Sequence, residues 1–507
     1  MSGDQSAPQG PDLTQGIAVG DIPEGGMIGG HVGDEAVLVA RRGEDLFAIG
    51  ATCSHYNGPL AEGLIVGDAV HCPWHHARFC LRTGAAIGAP AFNPVPRWRV
   101  EQHDGKVYVR DKIEPAAQPR AKPSAKPERV VIVGGGAGGF AAAEMLRREG
   151  FAGSVTILSA DDTAPYDRPN CSKDYLAGSA PEDWMPLRPD EYYREHNIDL
   201  RLRTEVTALD VAGRQVIIGG GERQPFDKLI LATGAEPVRL DIPGADRADL
   251  YVLRSLSDAR AIAAAAQKAK RAVVIGASFI GLEVAASLRA RKVEVHIVAP
   301  EERPLQRVLG AEYGDFIRTL HEEHGVVFHL QETATAIGQN SVTLKSGATL
   351  DADLVVVGIG VRPRLKLAEQ AGLKIDRGVV VDEYLETSAP GIFAIGDIAR
   401  WPDAHTGERV RIEHWVVAER HGQAVARNIL GQKQPFFEAP FFWSQHYDMS
   451  INYVGHAEHW DAIEIDGDMA KRDCMVRYRS KGKVLAAASI FRDHDSLKEE
   501  AAMERAA

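Results

Sequence analysis

The chain has 507 residues, about three to four times the size of a typical domain, so we expect several domains with separate cores. Hydrophobic residues make up 45% and charged residues 25% of the chain, which excludes disordered, collagen-like and coiled-coil proteins. The 58 Lys and Arg against 70 Asp and Glu give a net charge of -12, which argues against nucleic acids and membranes as partners.

The cysteines and the apolar segments indicate the compartment. Only five cysteines occur, an odd number and too few for a disulfide scaffold in a chain of this length. No apolar stretch approaches the roughly 20 residues that cross a bilayer, and the polar start lacks the features of a signal peptide. We therefore predict a cytoplasmic protein.

Residues 13–110 are predicted to form a small antiparallel β domain. Short alternating apolar runs, such as residues 36–40 and 106–109, are separated by glycine-containing turns. Prolines at positions 115, 119, 123 and 127 then mark residues 111–128 as an extended linker. A linker of this kind would let the first domain move.

The rest of the chain is predicted to hold two doubly wound α/β domains and an α+β domain. A buried strand, a glycine-rich turn and an alanine-rich helix follow one another twice, from Arg129 and from Arg271. We expect one nucleotide-binding domain in residues 129–246 and 362–431, and the second between them in residues 247–361. Residues 432–507 are predicted to form the α+β domain, with a frayed end rich in Glu and Ala.

A pair of motifs in the first domain predicts an iron-sulfur cluster. Cys53 and His55 form a C-x-H motif, and Cys72 and His75 form a C-x-x-H motif. Two thiolates suit one iron, and two neutral imidazoles on the other iron raise the potential of the cluster. The same four ligands would also suit a zinc ion, which stays the alternative.

These motifs and their flanking residues resemble the Rieske [2Fe-2S] domain over about residues 15 to 110. In some members of that family an extra cysteine follows each motif and joins the loops. Gly58 and Trp74 stand at those places, so we expect no loop disulfide. The resemblance implies a low-potential ferredoxin type. His76 stands where the family more often has glycine.

A second cofactor is predicted from the turn at residues 134–139. Gly134, Gly136 and Gly139 form a G-x-G-x-x-G motif directly between a strand and a helix. The glycines allow a tight turn and close approach of the backbone to a pyrophosphate at the helix N-terminus. The alternative is a tight turn without a ligand.

Three further segments, at residues 165–173, 231–234 and 387–397, carry a resemblance to the FAD-dependent pyridine nucleotide reductases. The likeness is to ferredoxin reductases of oxygenase systems and to Rieske-bearing relatives of apoptosis-inducing factor. The resemblance implies that FAD is bound by residues of these segments. It also places Lys173 and Trp415 in the flavin environment, as candidate catalytic residues. The implied FAD-binding residues are Gly134, Gly136, Gly139, Arg168, Lys173, Thr233, Gly234, Asp397 and Trp415. The acid usual for the adenosine ribose is absent, and either Ser159 or Asp161 can substitute for it.

The second glycine-rich turn, at residues 276–283, is expected to bind NAD(P). Ser278 replaces the usual middle glycine and is small enough for close backbone approach. The predicted contacts are Gly276, Ser278, Gly281, Glu283, Glu301 and Gly360. Two carboxylates, at Glu301 and Glu302, precede Arg303, so we predict a preference for NADH over NADPH.

The function predicted from this set is an NAD(P)H reductase fused to its own Rieske ferredoxin. A nicotinamide delivers two electrons as hydride and the cluster accepts one, so a flavin has to stand between them. The expected partners are NAD(P)H and an acceptor protein such as an oxygenase, with a homodimer through the C-terminal domain as a further possibility. One alternative is a flavin peroxidase or disulfide reductase that uses Cys171. Another alternative is a redox-sensing signalling protein.

Overall fold

The computed structural model describes residues 9–114 and 128–506. The first domain consists of two antiparallel sheets, as predicted. One sheet has six strands, in the order Ile17–Ala18, Lys106–Ile113, Arg97–His103, Asp45–Gly50, Glu35–Arg42 and Met27–Val32. The other has four, in the order Leu64–Val66, Ala69–His71, Arg78–Cys80 and Ala86–Gly88. The last strand ends at Ile113, past the predicted boundary at Arg110. Most of the predicted linker, residues 115–127, lies outside the described residues.

The first α/β domain is built on a parallel sheet. Its strands are ordered Ile198–Arg201, Ser154–Leu158, Arg129–Val133, Lys228–Leu231 and Ile392–Ala394. Two helices, Ala137–Arg148 and Trp415–Ile429, pack on each other beside this sheet. Smaller helices are Asp174–Ala177, Asp190–Glu195 and Lys366–Gln370. Two small sheets comprise the strands Val206–Asp210, Gln215–Ile218 and Arg223–Pro225, and the strands Val379–Val380, Ala399–Pro402 and Arg409–Val410.

The second α/β domain repeats this plan. Its parallel strands are ordered Leu250–Val252, Leu354–Val357, Arg271–Ile275, Glu294–Ala299 and Val326–Leu330. Its helices are Leu256–Ala266, Phe279–Ala290, Gln306–Leu309 and Ala311–Glu323. An antiparallel sheet of Ala334–Ile337, Ser341–Leu344 and Thr349–Asp351 covers it. The chain crosses between the α/β domains along two paired strands, Ala235–Pro237 and Val361–Pro363.

The C-terminal domain is a five-stranded antiparallel sheet with one helix. The strands are ordered Phe441–His446, Met449–Gly455, Lys483–Ile490, Asp473–Ser480 and Ala462–Asp468. The helix Asp493–Ala506 follows. The expectation that this end frays is wrong, because the helix buries Leu497, Glu500 and Ala501. Among the described residues, no helix is long and apolar enough to span a bilayer.

Candidate functional site: a cluster cradle docked on a dinucleotide cleft

The four predicted cluster ligands lie on two tight loops at one end of the first domain. Cys53 and Cys72 are both buried, and each loop is closed by a backbone hydrogen bond from the cysteine N–H, to Gly58 at 2.8 Å and to Ala77 at 2.8 Å. The two thiols are close enough to interact, and this interaction lowers the pKa of Cys53 and raises that of Cys72. The two sulfurs therefore face each other, as two ligands of one iron must.

The two histidines face each other on the same end of the domain. The ring centroids of His55 and His75 are 5.0 Å apart at 89°. The Nδ1 atom of His55 is buried without a hydrogen-bond partner, which is the state expected of a ligand atom. Burial lowers the pKa of His55 to about 3, so the ring is neutral, as ligation requires.

The space around the sulfur of Cys72 is set by a glycine on the other cluster loop. A Cβ at Gly58 would lie 2.8 Å from the sulfur of Cys72. Glycine therefore leaves room for the sulfur, and no cysteine stands there to form a loop disulfide.

The segment after the second cluster loop is held by a carboxylate from the C-terminal helix. Glu500 is fully buried. Its carboxylate accepts hydrogen bonds from Arg420 at 2.8 Å, from His76 at 3.0 Å and from Arg78 at 3.3 Å. Burial alone would raise the pKa of Glu500, but these three neighbours outweigh burial and hold it well below its usual value. The first domain is therefore docked through a buried charged cluster.

His76 adopts a backbone conformation that glycine adopts more easily. Its φ is 60°, in the left-handed region. The ring of His76 stacks on Phe441 at 3.9 Å, and Ser496 lies 3.3 Å from its second nitrogen. The docking contacts thus explain a histidine at a position where glycine is usual in the family.

The α/β domain contributes a second set of docking contacts. Arg148 donates hydrogen bonds to the carbonyl oxygens of Ala86 and Phe92, the second at 2.9 Å. The side chain of Gln423 accepts a hydrogen bond from the N–H of Ala89 at 3.1 Å. The loop after the last strand of the four-stranded sheet is therefore fixed on the two packed helices.

The histidine side of the cluster cradle faces the dinucleotide cleft. The ring of His75 lies 4.3 Å from the ring of Trp443, and the amino group of Lys173 lies 5.7 Å from the same ring. Tyr56 donates its hydroxyl to the buried Asp167, which precedes Arg168 in the predicted flavin segment. Trp443 and Tyr56 were not predicted from the sequence. Nothing in their local pattern marks them, because their partners belong to other domains.

The first glycine-rich turn has the geometry of a pyrophosphate site. Gly134 has a φ of 115°, and a Cβ at Gly139 would collide with the carbonyl oxygen of Gly134. Gly136 precedes the helix Ala137–Arg148. A Cβ at Gly136 would lie 3.5 Å from the guanidinium of Arg168, so a cation stands beside the helix N-terminus.

The remaining predicted FAD residues lie close to this turn, to Arg168 or to Arg254. Arg254 pairs with Asp397 at 2.5 Å, and a Cβ at Gly234 would lie 3.5 Å from Arg254. The hydroxyl of Thr233 is bonded to a backbone carbonyl at 3.0 Å. Trp415 begins its helix, and the guanidinium of Arg168 lies 6.0 Å from its ring. Sequence reasoning missed Arg254, which lies in the second α/β domain, between the strand Leu250–Val252 and the helix Leu256–Ala266.

Lys173 and Glu283 form a buried ion pair between the two α/β domains. The amino group and the carboxylate are 3.0 Å apart, and Ser172 at 2.5 Å and Ser444 at 2.6 Å also donate to Glu283. Burial alone would raise the pKa of Glu283, but Lys173 and the two hydroxyls lower it. The sequence interpretation placed Glu283 on NAD(P). Both carboxylate oxygens have partners within the protein, so we assign it to Lys173 instead.

The second glycine-rich turn is built like the first. Gly276 has a φ of 112°, and a Cβ at Gly281 would collide with the Gly276 carbonyl oxygen. Ser278 does more than fit, because its hydroxyl donates to Gly358 at 2.8 Å and accepts from Gly281 at 3.3 Å. Gly358 lies against Gly276 in this turn, whereas Gly360, with a φ of 107°, accepts a hydrogen bond from the N–H of Val238 at 3.0 Å. The turn therefore presents its backbone at the N-terminus of a capped helix.

In the charged segment that follows the strand Glu294–Ala299, the side chain of Arg303 is held by two carboxylates. Arg303 pairs with Asp315 at 2.8 Å and with Glu302 at 2.8 Å. The side chain of Glu301 is half-buried beside them. A cation with two carboxylates at contact distance is poorly suited to bind a phosphate.

Asp161 and Ser159 were the two alternatives for the contact to the adenosine ribose, and their neighbours in the structure distinguish them. Asp161 accepts hydrogen bonds from the hydroxyl of Tyr166 at 3.0 Å and from the backbone of Thr163 at 3.3 Å. Ser159 is buried directly beside the first turn, where a Cβ at Gly135 would lie 2.8 Å from its hydroxyl. Ser159 is therefore the better placed of the two for a dinucleotide ribose.

Comparison with known proteins agrees with this architecture. Residues 128–422 match the model of the pyridine nucleotide-disulphide oxidoreductase family. Residues 15–99 match the Rieske [2Fe-2S] domain, and residues 441–507 match the reductase C-terminal domain. FAD, a nicotinamide dinucleotide and a [2Fe-2S] cluster are the cofactors of these domains.

Similar proteins cover most of the chain. Apoptosis-inducing factor 3 of Homo sapiens is 33% identical over 94% of this chain and 81% of its own length. The ferredoxin--NAD(+) reductase component of the anthranilate 1,2-dioxygenase system of Burkholderia cepacia is 34% identical over 71% of this chain and 90% of its own. The covalent putidaredoxin reductase-putidaredoxin complex is similar with a TM-score of 0.73 and 33% identity, over 75% of this chain and 94% of that one. The chain therefore belongs to the pyridine nucleotide-disulphide oxidoreductase family, as an NAD(P)H:ferredoxin-type oxidoreductase that carries an N-terminal Rieske domain.

Proposed function

We propose that this protein passes electrons from NADH through FAD to its own Rieske cluster, and from there to a separate acceptor such as an oxygenase component. The observation that carries the proposal is the docking of the cluster cradle, with His75 against Trp443 and Trp443 against Lys173. A bound flavin would accept a hydride and release its electrons one at a time. The flavin site and the cluster site must therefore lie close together for an electron to pass between them.

The protein's own residues hold the two sites. Cys53, Cys72, His55 and His75 would hold the cluster. The turn at Gly134 and the cation of Arg168 would hold the pyrophosphate of FAD, and Asp397 with Arg254 would contact its chain of hydroxyls. The ion pair of Lys173 and Glu283 is buried where the two α/β domains meet. It would therefore lie at the flavin ring and help to exclude water from it.

The docked arrangement also affects how the cluster would pass electrons to an external acceptor protein. His55 is half-buried and His75 lies against Trp443, so the histidine edge of the cluster is covered by the reductase. An external acceptor would therefore receive electrons after the first domain has moved away, as the predicted linker would allow. The acceptor itself, the cytoplasmic location and a homodimer through the C-terminal domain stay predictions from the sequence.

Replacement of one cluster ligand tests the proposal. The variant His75→Ala should lose the electron paramagnetic resonance signal of the reduced Rieske cluster and keep flavin absorbance and its bleaching by NADH. Reduction of a one-electron protein acceptor should be lost, while reduction of a dye that reacts with the flavin should persist. His103→Ala, an exposed histidine of the same domain, is the matched control. Unchanged transfer to the protein acceptor in His75→Ala would show that electrons bypass the cluster.

The peroxidase alternative has less support. Cys171 is buried among apolar side chains, and burial raises its pKa to about 12. A thiol in this state is protonated at neutral pH and reacts slowly with peroxide. The sensor alternative differs in turnover, because a sensor would reduce artificial acceptors poorly.

A further inference from the structure

A continuous chain of hydrogen bonds leads from Glu283 to the protein surface. Ser444 donates to Glu283 at 2.6 Å and lies 3.1 Å from Nε2 of His446. Nδ1 of His446 lies 3.1 Å from Nε2 of His321, whose Nδ1 lies 3.1 Å from the hydroxyl of Tyr447. The first three of these side chains after Glu283 are buried, and Tyr447 is half-buried. The path leads from the buried pair of Lys173 and Glu283 to solvent through the second α/β domain and the C-terminal domain.

The hydrogen bonds assign a single direction to this chain when Glu283 is ionised. Because a carboxylate only accepts, the Ser444 hydroxyl donates to it and must accept from Nε2–H of His446. His446 then accepts at Nδ1 from Nε2–H of His321, and His321 accepts at Nδ1 from the hydroxyl of Tyr447. Both histidines are therefore Nε2–H tautomers.

The two histidines are suited to pass protons because they are neutral and enclosed. Burial lowers the pKa of His446 to about 4, with Glu283 raising it and Lys173 lowering it. Burial also lowers the pKa of His321, which faces His446 and His324. At the outer end, the ring of His324 stacks on Tyr447 at 3.6 Å. A neutral imidazole can take a proton at one nitrogen and release one from the other.

We propose that Ser444, His446, His321 and Tyr447 form a proton relay that sets the protonation state of the Lys173 and Glu283 pair during turnover. This inference rests on the proposed function, which puts FAD beside this ion pair: a hydride would bring two electrons and one proton to the flavin, so the site would gain one negative charge. A proton entering at Tyr447 shifts each hydrogen by one bond, protonates Glu283 and leaves both histidines as Nδ1–H tautomers. The reverse shift returns that proton to water when the two electrons leave.

With this step, the protons and electrons of one turnover balance. The oxidation of one NADH to NAD+ would supply the hydride, and Glu283 would take one proton from water. When two one-electron acceptors are reduced, the proton on Glu283 returns through the relay and the proton that came with the hydride leaves through the nucleotide cleft after NAD+ has gone. One NADH therefore yields two electrons and a net release of one proton. The relay matters because a nicotinamide against the flavin keeps water out of the cleft during hydride transfer.

Infrared difference spectroscopy of the loaded protein reports the relay directly. On anaerobic reduction of the flavin, wild type should show the band of a newly protonated carboxyl group, and labelled histidine should show a change from Nε2–H to Nδ1–H. Glu283→Gln should lack the carboxyl band. Absence of that band in wild type would overturn the proposal.

A kinetic measurement separates a relay from a structural role. In weakly buffered solution with an indicator dye, wild type should take up protons at the rate at which the flavin bleaches. In His446→Phe the uptake should lag behind the bleaching by about tenfold or more, because the path is broken between Ser444 and His321. Should His446→Phe fail to fold, His446→Gln keeps a hydrogen bond to Ser444 but cannot pass a proton on.

The chain offers a matched control for these variants. His296 and His329 form a second histidine pair, in the second α/β domain, with ring nitrogens 2.9 Å apart and no recorded hydrogen bond to Glu283 in the described structure. His296→Phe should leave proton uptake and flavin bleaching simultaneous. Simultaneous uptake and bleaching in both His446→Phe and His446→Gln would show that protons reach Glu283 by another route and would refute the relay.

Discussion

Removal of the Glu500 charge should release the Rieske domain from its docked position. In Glu500→Gln, the guanidinium groups of Arg420 and Arg78 lose a carboxylate at 2.8 Å and 3.3 Å. Breaking a buried ion pair from one side costs about 3–5 kcal/mol. Arg78 on the docked domain keeps Glu504 at 2.5 Å and Glu438 at 3.4 Å, and Glu438 also pairs with Arg420 at 3.2 Å, so we expect the lower end, about 3 kcal/mol. This corresponds to an increase of about a hundredfold in the undocked population.

Hydrogen exchange measures that population directly. Amide protection in the segment after the second cluster loop should fall by about a hundredfold in Glu500→Gln, because that segment exchanges when the domain undocks. The pKa of Glu500 in the folded protein is held well below its usual value. The stabilisation that its charge gives to the docked state is therefore fully present above the pKa of the unfolded chain, and it is lost only as the pH falls through the pKa of the folded protein. The effect should therefore be complete at neutral pH. Reduction of the cluster by the flavin should slow, while reduction of the flavin by NADH should not.

The neighbouring glutamate provides the control. Glu499 pairs with Arg477 at 2.6 Å within the C-terminal domain and makes no contact with the first domain in the described structure. Glu499→Gln should leave the protection of the cluster loop unchanged. Arg78→Gln should resemble Glu500→Gln, and the double variant should lose less than the sum of the two. Equal protection in Glu500→Gln and Glu499→Gln would refute the docking role of Glu500.

Two further predictions concern the flavin cleft. Cys171→Ser should leave NADH-dependent dye reduction within about a few-fold of wild type, because a thiol with a pKa raised to about 12 is protonated; a loss of substantial hydrogen peroxide turnover would instead support the peroxidase. Wild type should have a higher kcat/KM for NADH than for NADPH, because Arg303 is held by Asp315 and Glu302, and Glu301→Ala should narrow the difference. An NADPH preference that disappears in Arg303→Ala would contradict this reasoning.

The parts of the site that depend on local sequence were predicted. The two cysteine and histidine motifs lie on adjacent loops, and the glycine turns follow buried strands, because spacing and backbone conformation are encoded within a few residues. Ser278 shows the limit of such reasoning. It was chosen for its size, yet its hydroxyl also caps the helix that follows.

The parts that depend on contacts between domains were not predictable. Ser496, Glu500 and Glu504 are spaced four residues apart, which places them on one face of a helix. That spacing gives no indication that the partners are His76 and Arg78, more than 400 residues earlier, with sequence separations of 424 for Glu500 and His76 and 426 for Glu504 and Arg78. Glu283 is a similar case, because its partner Lys173 belongs to the other α/β domain.

The strand Phe441–His446 links the docking contact, the cleft and the relay. Side chains alternate between the two faces of a strand, so residues 441 and 443 share one face and residues 442, 444 and 446 share the other. On the first face, Phe441 stacks on His76, and the ring of Trp443 lies tilted against His75. On the second, Ser444 bonds to Glu283 and His446 to His321. One strand therefore positions the cluster loop and the buried carboxylate of the cleft relative to each other, and a one-residue shift of its register would disrupt both sets of contacts.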